Sequence, residues 1–496
     1  MSIVTLLPEV RAFLAREHGH FIDGVAVPGS GAGRVPVVNP ANGQEIASIA
    51  EATDAEVDAA VASAGQAFRG SWARTSPAER GLILIRLADL LIAHREELAQ
   101  IETSQSGKII QLSRAFEVDQ AAAFLRYYAG WATKIAGETL SPSLPSFRGE
   151  QYTAFTRREP VGVVAGIVPW NFSIMIAVWK FASALVTGCT SVVKPSEFTP
   201  LTILRIAELA AEAGLPPGAL NVVTGSGKIG AALIAHPGIA KVSFTGSVPT
   251  GIAVGKAAFD AGLTRATLEL GGKNAVGVLP DIDADKAVDG ILEAGFVHQG
   301  QICAAGERFY VHRSRIDEIL DKLGERLKGF RIGDPLDEET QFGPLSNKPH
   351  LDKVSRFFAR AREENDSIVY GAEVLDRPGF FVTPTVIRVD RPDAALLREE
   401  TFGPIGTFLA YDEEDELVSL MNGGPYGLSA SIWTNDLSKA LRLIPRIEAG
   451  TVWVNMHTIL DPAVPFGGIK ASGIGREFGS AFIDDYTEIK SVIIRY

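Results

Sequence analysis

A chain of 496 residues, 46% hydrophobic and 21% charged with 50 Gly and 27 Pro, has an ordinary globular composition that excludes disorder, collagen and coiled coil. Single cores stop growing near roughly 250–300 residues, so two large domains are expected. Lys plus Arg (47) against Asp plus Glu (59) give a net charge of −12, which repels phosphate backbones and anionic lipid; neither nucleic acid nor membrane is an expected partner.

The stretch Met1 to Arg11 carries Pro8 and Glu9 where a secretory signal needs a basic start and an unbroken apolar run. Two cysteines, Cys189 and Cys303, make no disulfide framework, so a reducing, cytoplasmic compartment is expected. Helices are expected to open the chain. Thr53 ahead of Val57, Ala60, Val61, Ala64 and Phe68 predicts one, and Ser76-Pro77-Ala78-Glu79 ahead of the apolar run 82–91 predicts another. From 161 the pattern changes to short β-branched runs at 161–168, 191–193, 221–223, 242–244 and 266–268, separated by helical periodicity at 174–186 and 201–213. Alternation of this kind predicts a parallel sheet covered on both faces, with ligands beyond the carboxyl ends of its strands. Further strands at 308–311, 380–386, 407–409, 429–433 and 451–454 predict a second α/β domain. Segments 141–158 and 490–496 read as exposed apolar strands that invite pairing with another subunit.

Four places carry candidate chemistry. Cys303 lies on a bend made by Gly300 and Gln301, with Gly306 beyond it; it is either a small buried hydrophobe or a nucleophile facing backbone N–H groups. Glu269, between Leu268 and Leu270 and ahead of a Gly pair, is either a partner of Lys273 or a half-buried general base. Asn171, at a strand-to-helix turn, is either a helix cap or an amide donor to an oxyanion. Lys194 and Glu197, three residues apart at a strand end, can donate to and accept from ribose hydroxyls, or form a surface pair. Gly225-Ser-Gly-Lys-Ile-Gly230 matches GxGxxG formally, but no acidic residue follows at the expected distance. The eight histidines are scattered, without zinc-ligand spacing, so no metal is expected.

Taken in order, Pro169-Trp-Asn-Phe172, Lys194-Pro-Ser-Glu197, Phe244-Thr-Gly-Ser247, Leu268-Glu-Leu-Gly-Gly-Lys273, Gln299-Gly-Gln-Ile-Cys303, Glu399-Glu-Thr-Phe-Gly-Pro404 and Pro465-Phe-Gly-Gly-Ile-Lys470 resemble the NAD(P)-dependent aldehyde dehydrogenase superfamily over essentially the whole chain. His298 to Ala305, Thr451 to Thr458 and Lys490 to Tyr496 look most like the bacterial phenylacetaldehyde dehydrogenases. The resemblance implies an α/β fold of two Rossmann-like, doubly wound domains plus a small β oligomerisation arm. The NAD-binding domain would occupy 1–140 and 159–270, the catalytic domain 271–476, and the arm 141–158 and 477–496, giving a homo-oligomer, dimer or tetramer. It implies that Cys303 attacks an aldehyde, that Asn171 and the Cys303 N–H hold the oxyanion, and that Glu269 activates the water that hydrolyses the thioester. Lys194, Glu197, Trp170, Ser247, Gly225, Gly230, Glu400 and Phe402 would contact NAD, with Glu197 opposing a 2′-phosphate. Phe172, Met175, Trp179, Phe296 and Phe466 would line a substrate tunnel suited to an aryl or arylalkyl aldehyde, phenylacetaldehyde first among them. Another aliphatic aldehyde or semialdehyde, a CoA-acylating reaction, or a retired NAD-binding scaffold are the alternatives. Ser173, His298, Ala275 and Gly306-Glu307-Arg308 depart from the family's common pattern, and Glu307 is expected to raise the thiol pKa.

Overall fold

The computed structural model describes residues 5–31 and 33–496; Met1 to Val4 of the N-terminal stretch lie outside them. Two sheets dominate. In the first the order is Val25–Val27, His20–Ile22, Leu220–Val222, Thr190–Lys194, Val163–Ile167, Lys241–Thr245, Arg265–Glu269 and Gly473–Ile474. The five central strands run parallel, and antiparallel pairs close both edges. The β-branched runs are buried on both faces, which explains why they read as continuous apolar segments and not as an alternation. On one face lies the helix Ser173–Thr187, buried along its whole length and ended by the left-handed Gly188 (φ 97°).

The second sheet has the order Ser367–Tyr370, Thr385–Arg388, Ile405–Tyr411, Gly306–His312, Asn274–Val278, Ser429–Trp433 and Thr451–Val454, parallel except at Ser367–Tyr370. The strand expected at 380–386 begins only at Thr385, because Pro384 has no N–H for a ladder; ahead of it Val382 makes an isolated bridge to Val374.

The helix Asp54–Arg69 starts at Thr53 with a reciprocal capping box to Glu56, and Pro77–Ala93 starts at Ser76 with Pro at its first position. The chain does open on a short helix, Pro8–Leu14, but two hairpins precede the expected ones. The first turns at Asp23-Gly24, both left-handed (φ 54° and 81°), a primed-turn signal that the helical reading passed over.

The strands expected to seek another subunit pair with each other: Thr487–Arg495 runs antiparallel to Tyr152–Pro160, with Thr139–Leu140 beyond. The expected arm of 477–496 is corrected at its start. Phe478 packs on Phe124 and Trp179, and Phe482 on Tyr128, so residues 477–486 belong to the first core. Their apolar side chains fill the layer over Ser173–Thr187, which a solvent-exposed arm cannot offer. Among the described residues no helix is long and apolar enough to cross a membrane.

Candidate active site

The carboxyl ends of the first sheet face two loops of the second unit, 297–305 and 400–404. Between them lie two cavities that share Asn171, Ile176 and Cys303. The turn Pro169-Trp-Asn-Phe172 divides them: Trp170 lines the first, Phe172 the second, and Asn171 both. Phe172 occupies the N-cap position of Ser173–Thr187 without a side-chain cap, so Asn171 is not that helix's cap. Its Nδ2 gives one hydrogen to the Gln301 carbonyl at 2.9 Å and has a second for the junction.

The loop ahead of Gly306–His312 bends through three successive left-handed residues, His298, Gln299 and Gly300; a Cβ at Gly300 would lie 2.4 Å from the Gly403 oxygen. Every carbonyl from 301 to 305 is then tied down. Asn171 holds that of Gln301, Ala305 N–H that of Ile302 (2.9 Å), and Asn274 Nδ2 those of Cys303 and Ala305 (both 2.8 Å). His457 Nε2 (2.7 Å) and Ser429 Oγ (3.2 Å) hold that of Ala304. Fixing the oxygens leaves the N–H groups of Cys303 and Ala304 facing the sulfur, where they lower its pKa, but burial and the charges of Glu269 and Glu400 win and push the thiol up to about 12. Glu307 is not the cause expected from the sequence. It accepts from Lys273 Nζ (2.6 Å), from the N–H and Oγ1 of Thr401 (both 2.8 Å) and from Phe402 N–H (2.8 Å). These bonds hold the left-handed Phe402 (φ 55°) in place.

Glu269 ends its strand against Gly467, where a Cβ would approach its Oε1 to 2.7 Å. Among the described residues neither of its carboxyl oxygens has a hydrogen-bond partner, and Lys273, bound to Glu307, is not its mate. Burial and the nearby Glu477 raise its pKa well above the ordinary carboxylate range, while Lys180 and Arg476 oppose this. Lys180, from the buried helix, is paired with Glu477.

On the other side, Glu400 comes within 2.9 Å of Gly272 N–H, and a Cβ at Gly271 would lie 2.1 Å from its Oε1, so the Gly pair admits the carboxylate. Burial and Glu307 push Glu400 up to about 7. Trp170 meets the Phe402 ring edge-on at 5.5 Å and the His350 ring at 5.1 Å; His350, held neutral by burial at about 3, donates Nε2–H to the Phe402 carbonyl at 2.8 Å. Ser247 caps the helix Val248–Asp260, whose positive end opens on the first cavity beside Lys353. A helix N-terminus, an ammonium and an aromatic slot suit a dinucleotide.

Residues 27–492 match the model of the aldehyde dehydrogenase family. The chain belongs to that family. It is 47% identical over 464 residues to a phenylacetaldehyde dehydrogenase of Pseudomonas fluorescens, covering 93% of this chain and 92% of that one. It is 42% identical over 475 residues to a betaine aldehyde dehydrogenase of Cereibacter sphaeroides, covering 96% of each. The NAD+ complex of an aldehyde dehydrogenase from Bacillus cereus superposes with a TM-score of 0.96 at 40% identity over 99% of both chains. NAD is the cofactor.

In this aldehyde dehydrogenase the expected residues separate into three groups. Cys303, Asn171, Trp170, Ser247, Glu400 and Phe402 line the first cavity, with Glu269 at the adjoining strand end. Lys194, Glu197, Gly225 and Gly230 lie at the neighbouring strand ends of the same sheet edge, outside that cavity. Lys194 is buried, reaches Glu197 Oε2 at 3.4 Å, and has its pKa lowered by burial; Gly225 (φ 138°) packs against Ile229 and Glu51, and a Cβ at Gly230 would meet open space. Phe172, Met175 and Trp179 line the second cavity, but Phe296 and Phe466 do not. Phe296 follows the last turn of Ala284–Gly295 and turns into the second domain's core, leaving the wall to Val297. Phe466 stacks on Phe478, which backs Trp179 and Phe124, so it supports the wall from behind. Phe116, Gln120, Phe124, Ile302, Ala304 and 458–460 also line the second cavity and were missed, as were Lys353, His350, Asn274, Lys180 and Glu477. Asn274 stands one residue beyond the motif that ends at Lys273, and its place near the Gly pair was the available signal. Among the described residues no three His, Cys, Asp or Glu side chains converge as metal ligands.

Proposed function

We propose that this aldehyde dehydrogenase oxidises neutral aryl or arylalkyl aldehydes, phenylacetaldehyde first among them, to carboxylic acids with NAD in the cytoplasm. The observation that supports this most is the second cavity, which is walled by Phe116, Phe124, Phe172, Met175 and Trp179 and, among the described residues, lined by no charged side chain. A quaternary ammonium aldehyde is the second reading, since aromatic walls also attract cations. Against it, Lys108 already places its ammonium 4.2 Å from the Phe172 ring centroid.

The Cys303 thiol first gives its proton to water; the thiolate then attacks the carbonyl carbon, and the carbonyl oxygen takes up the negative charge between the free Asn171 amide hydrogen and the Cys303 N–H. When bound, NAD supplies a cationic hydride acceptor. The acyl group then rests on sulfur as a thioester. Glu269, whose raised pKa makes it a stronger base than an ordinary carboxylate, takes a proton from the attacking water, and the acid leaves with return of the thiol. Glu197 at the ribose end disfavours a 2′-phosphate. A panel of phenylacetaldehyde, benzaldehyde, hexanal, acetaldehyde, succinic semialdehyde and betaine aldehyde, each with NAD and with NADP, tests the reading. The highest kcat/KM is expected for phenylacetaldehyde with NAD; a lead for betaine aldehyde, or equal use of NADP, refutes it.

The three-stranded sheet exposes Leu140, Ile489, Ile493 and Ile494, which we assign to contact with further copies of the chain as a dimer or tetramer. Light scattering on the intact protein should give two or four chains per particle; a monomer contradicts the assignment.

A further inference from the structure

The residues 455–460 link the wall of the substrate cavity to the nucleophile through one side chain that neither chemistry nor cofactor binding requires. The segment follows the strand Thr451–Val454 and bends at Asn455 (φ 55°) and Thr458 (φ 60°), left-handed positions held by non-glycine residues. Such backbone persists only where its surroundings impose it. Asn455 exchanges two hydrogen bonds with Thr434 (3.0 and 2.9 Å), Glu293 accepts His457 N–H at 2.8 Å, and Trp453 Nε1–H donates to the Ile459 carbonyl at 3.1 Å.

The His457 imidazole is fully buried and has both nitrogens engaged: Nε2 with the Ala304 carbonyl and Nδ1 with Ser431 Oγ, each at 2.7 Å. A carbonyl only accepts, so Nε2 carries the proton. Burial holds the ring neutral, its pKa lowered to about 4, so Nδ1 accepts the Ser431 hydroxyl hydrogen, and Ser431 Oγ in turn accepts from Trp433 Nε1–H at 3.1 Å. The Ala304 carbonyl thus fixes the tautomer by itself, with Ser431 only complementing it, and the Nε2–H bond ties the residue after Cys303 to the residue before the wall positions Thr458, Ile459 and Leu460.

We propose that His457 is a positioning residue that sets the distance between the nucleophile and the far wall of the substrate cavity, through its Nε2–H bond to the Ala304 carbonyl. It matters most for aldehydes long enough to reach Ile459. The inference rests on the family's reaction and not on which long aldehyde is the natural one.

Asn places an amide near the Nδ1 position and Gln near the Nε2 position, so His457→Gln keeps the bond to Ala304 and His457→Asn loses it. With phenylacetaldehyde, His457→Asn is expected to lose about 10- to 100-fold in kcat/KM while His457→Gln stays within about threefold. With acetaldehyde both should stay within about threefold, and KM for NAD should not move. Ser431→Ala, which leaves the Ala304 bond in place, should resemble wild type. Equal losses in the Asn and Gln variants, or the same loss for long and short aldehydes, overturn the proposal, as does a Ser431→Ala variant as impaired as His457→Asn. If wild type does not turn over phenylacetaldehyde, the function reading has failed; hexanal then serves as the long aldehyde and the same outcomes decide.

Discussion

Two buried carboxylates near the nucleophile are treated in opposite ways. Glu307 accepts four hydrogen bonds and neutralises Lys273, and what it holds in return is the loop that presents Phe402 to the cofactor cavity. Glu269 is equally buried and among the described residues has no hydrogen-bond partner for either oxygen. An unsatisfied buried carboxyl is costly, so it survives where its reactivity is used, whereas a satisfied one builds structure. The two thiols repeat the contrast. Cys189 is wholly buried and donates Sγ–H to the Tyr486 carbonyl at 3.3 Å, while Cys303 stands where two cavities meet.

The largest effect should come from the thiols. Cys303→Ser is expected to lower kcat by roughly 10⁴-fold or more, since the weaker hydroxyl must replace the nucleophile. Cys189→Ala should retain near wild-type turnover and still take up one alkyl group per chain from iodoacetamide, read by intact-mass spectrometry. Labelling at both thiols, or an active Cys303→Ser, breaks the contrast.

The carboxylates should split by the quantity they change. Glu269→Gln is expected to cost roughly 10²–10³-fold in steady-state kcat while leaving a first-turnover burst of NADH, because acylation precedes the step that needs the base. Its Tm should not fall. Glu307→Gln leaves Lys273 buried without its counter-charge and should lower stability by roughly 3–5 kcal/mol, with KM for NAD raised as the 401–402 loop loosens. Denaturant titration and rapid-mixing fluorescence distinguish these outcomes, and a Glu269 variant that loses the burst would show that this carboxylate acts before hydride transfer.

The sheets were legible because their information is local: β-branched runs, caps at Thr53 and Ser76, and a helix stop at Gly188 each act within a few residues. Cys303, Glu269 and Asn171 were legible because each stands in an unusual local setting of glycines or a strand end. What escaped was long-range. Lys180 and Glu477 are 297 residues apart, and Asn274 reaches Cys303 over 29 and Ser429 over 155. No periodicity announces such pairs. Phe296 failed for a different reason: helical spacing ends at Gly295, and the residue after it turns inward while Val297 takes the cavity wall.

A smaller effect separates the thiol from its surroundings without any substitution. With a pKa of about 12 set by burial and by Glu269 and Glu400, Cys303 is overwhelmingly the neutral thiol at pH 7. The thiolate fraction of such a group grows about tenfold for each pH unit below its pKa, so iodoacetamide labelling of the free enzyme should accelerate by about that factor per unit between pH 7 and 9. The sign is fixed by the anion being the nucleophile: raising pH toward the pKa speeds labelling and lowering it slows labelling. Glu269→Gln removes the second-largest cause of the rise and should therefore speed labelling at the alkaline end of this range, where the carboxylate is ionised, whereas Glu307 is not among the causes at the thiol and Glu307→Gln should change labelling less. NAD brings a positive charge and should speed labelling at pH 7 in wild type. A pH-independent rate would mean that the sulfur is already ionised in the free enzyme, and the opposition between a satisfied and an unsatisfied carboxylate would then have no bearing on the nucleophile.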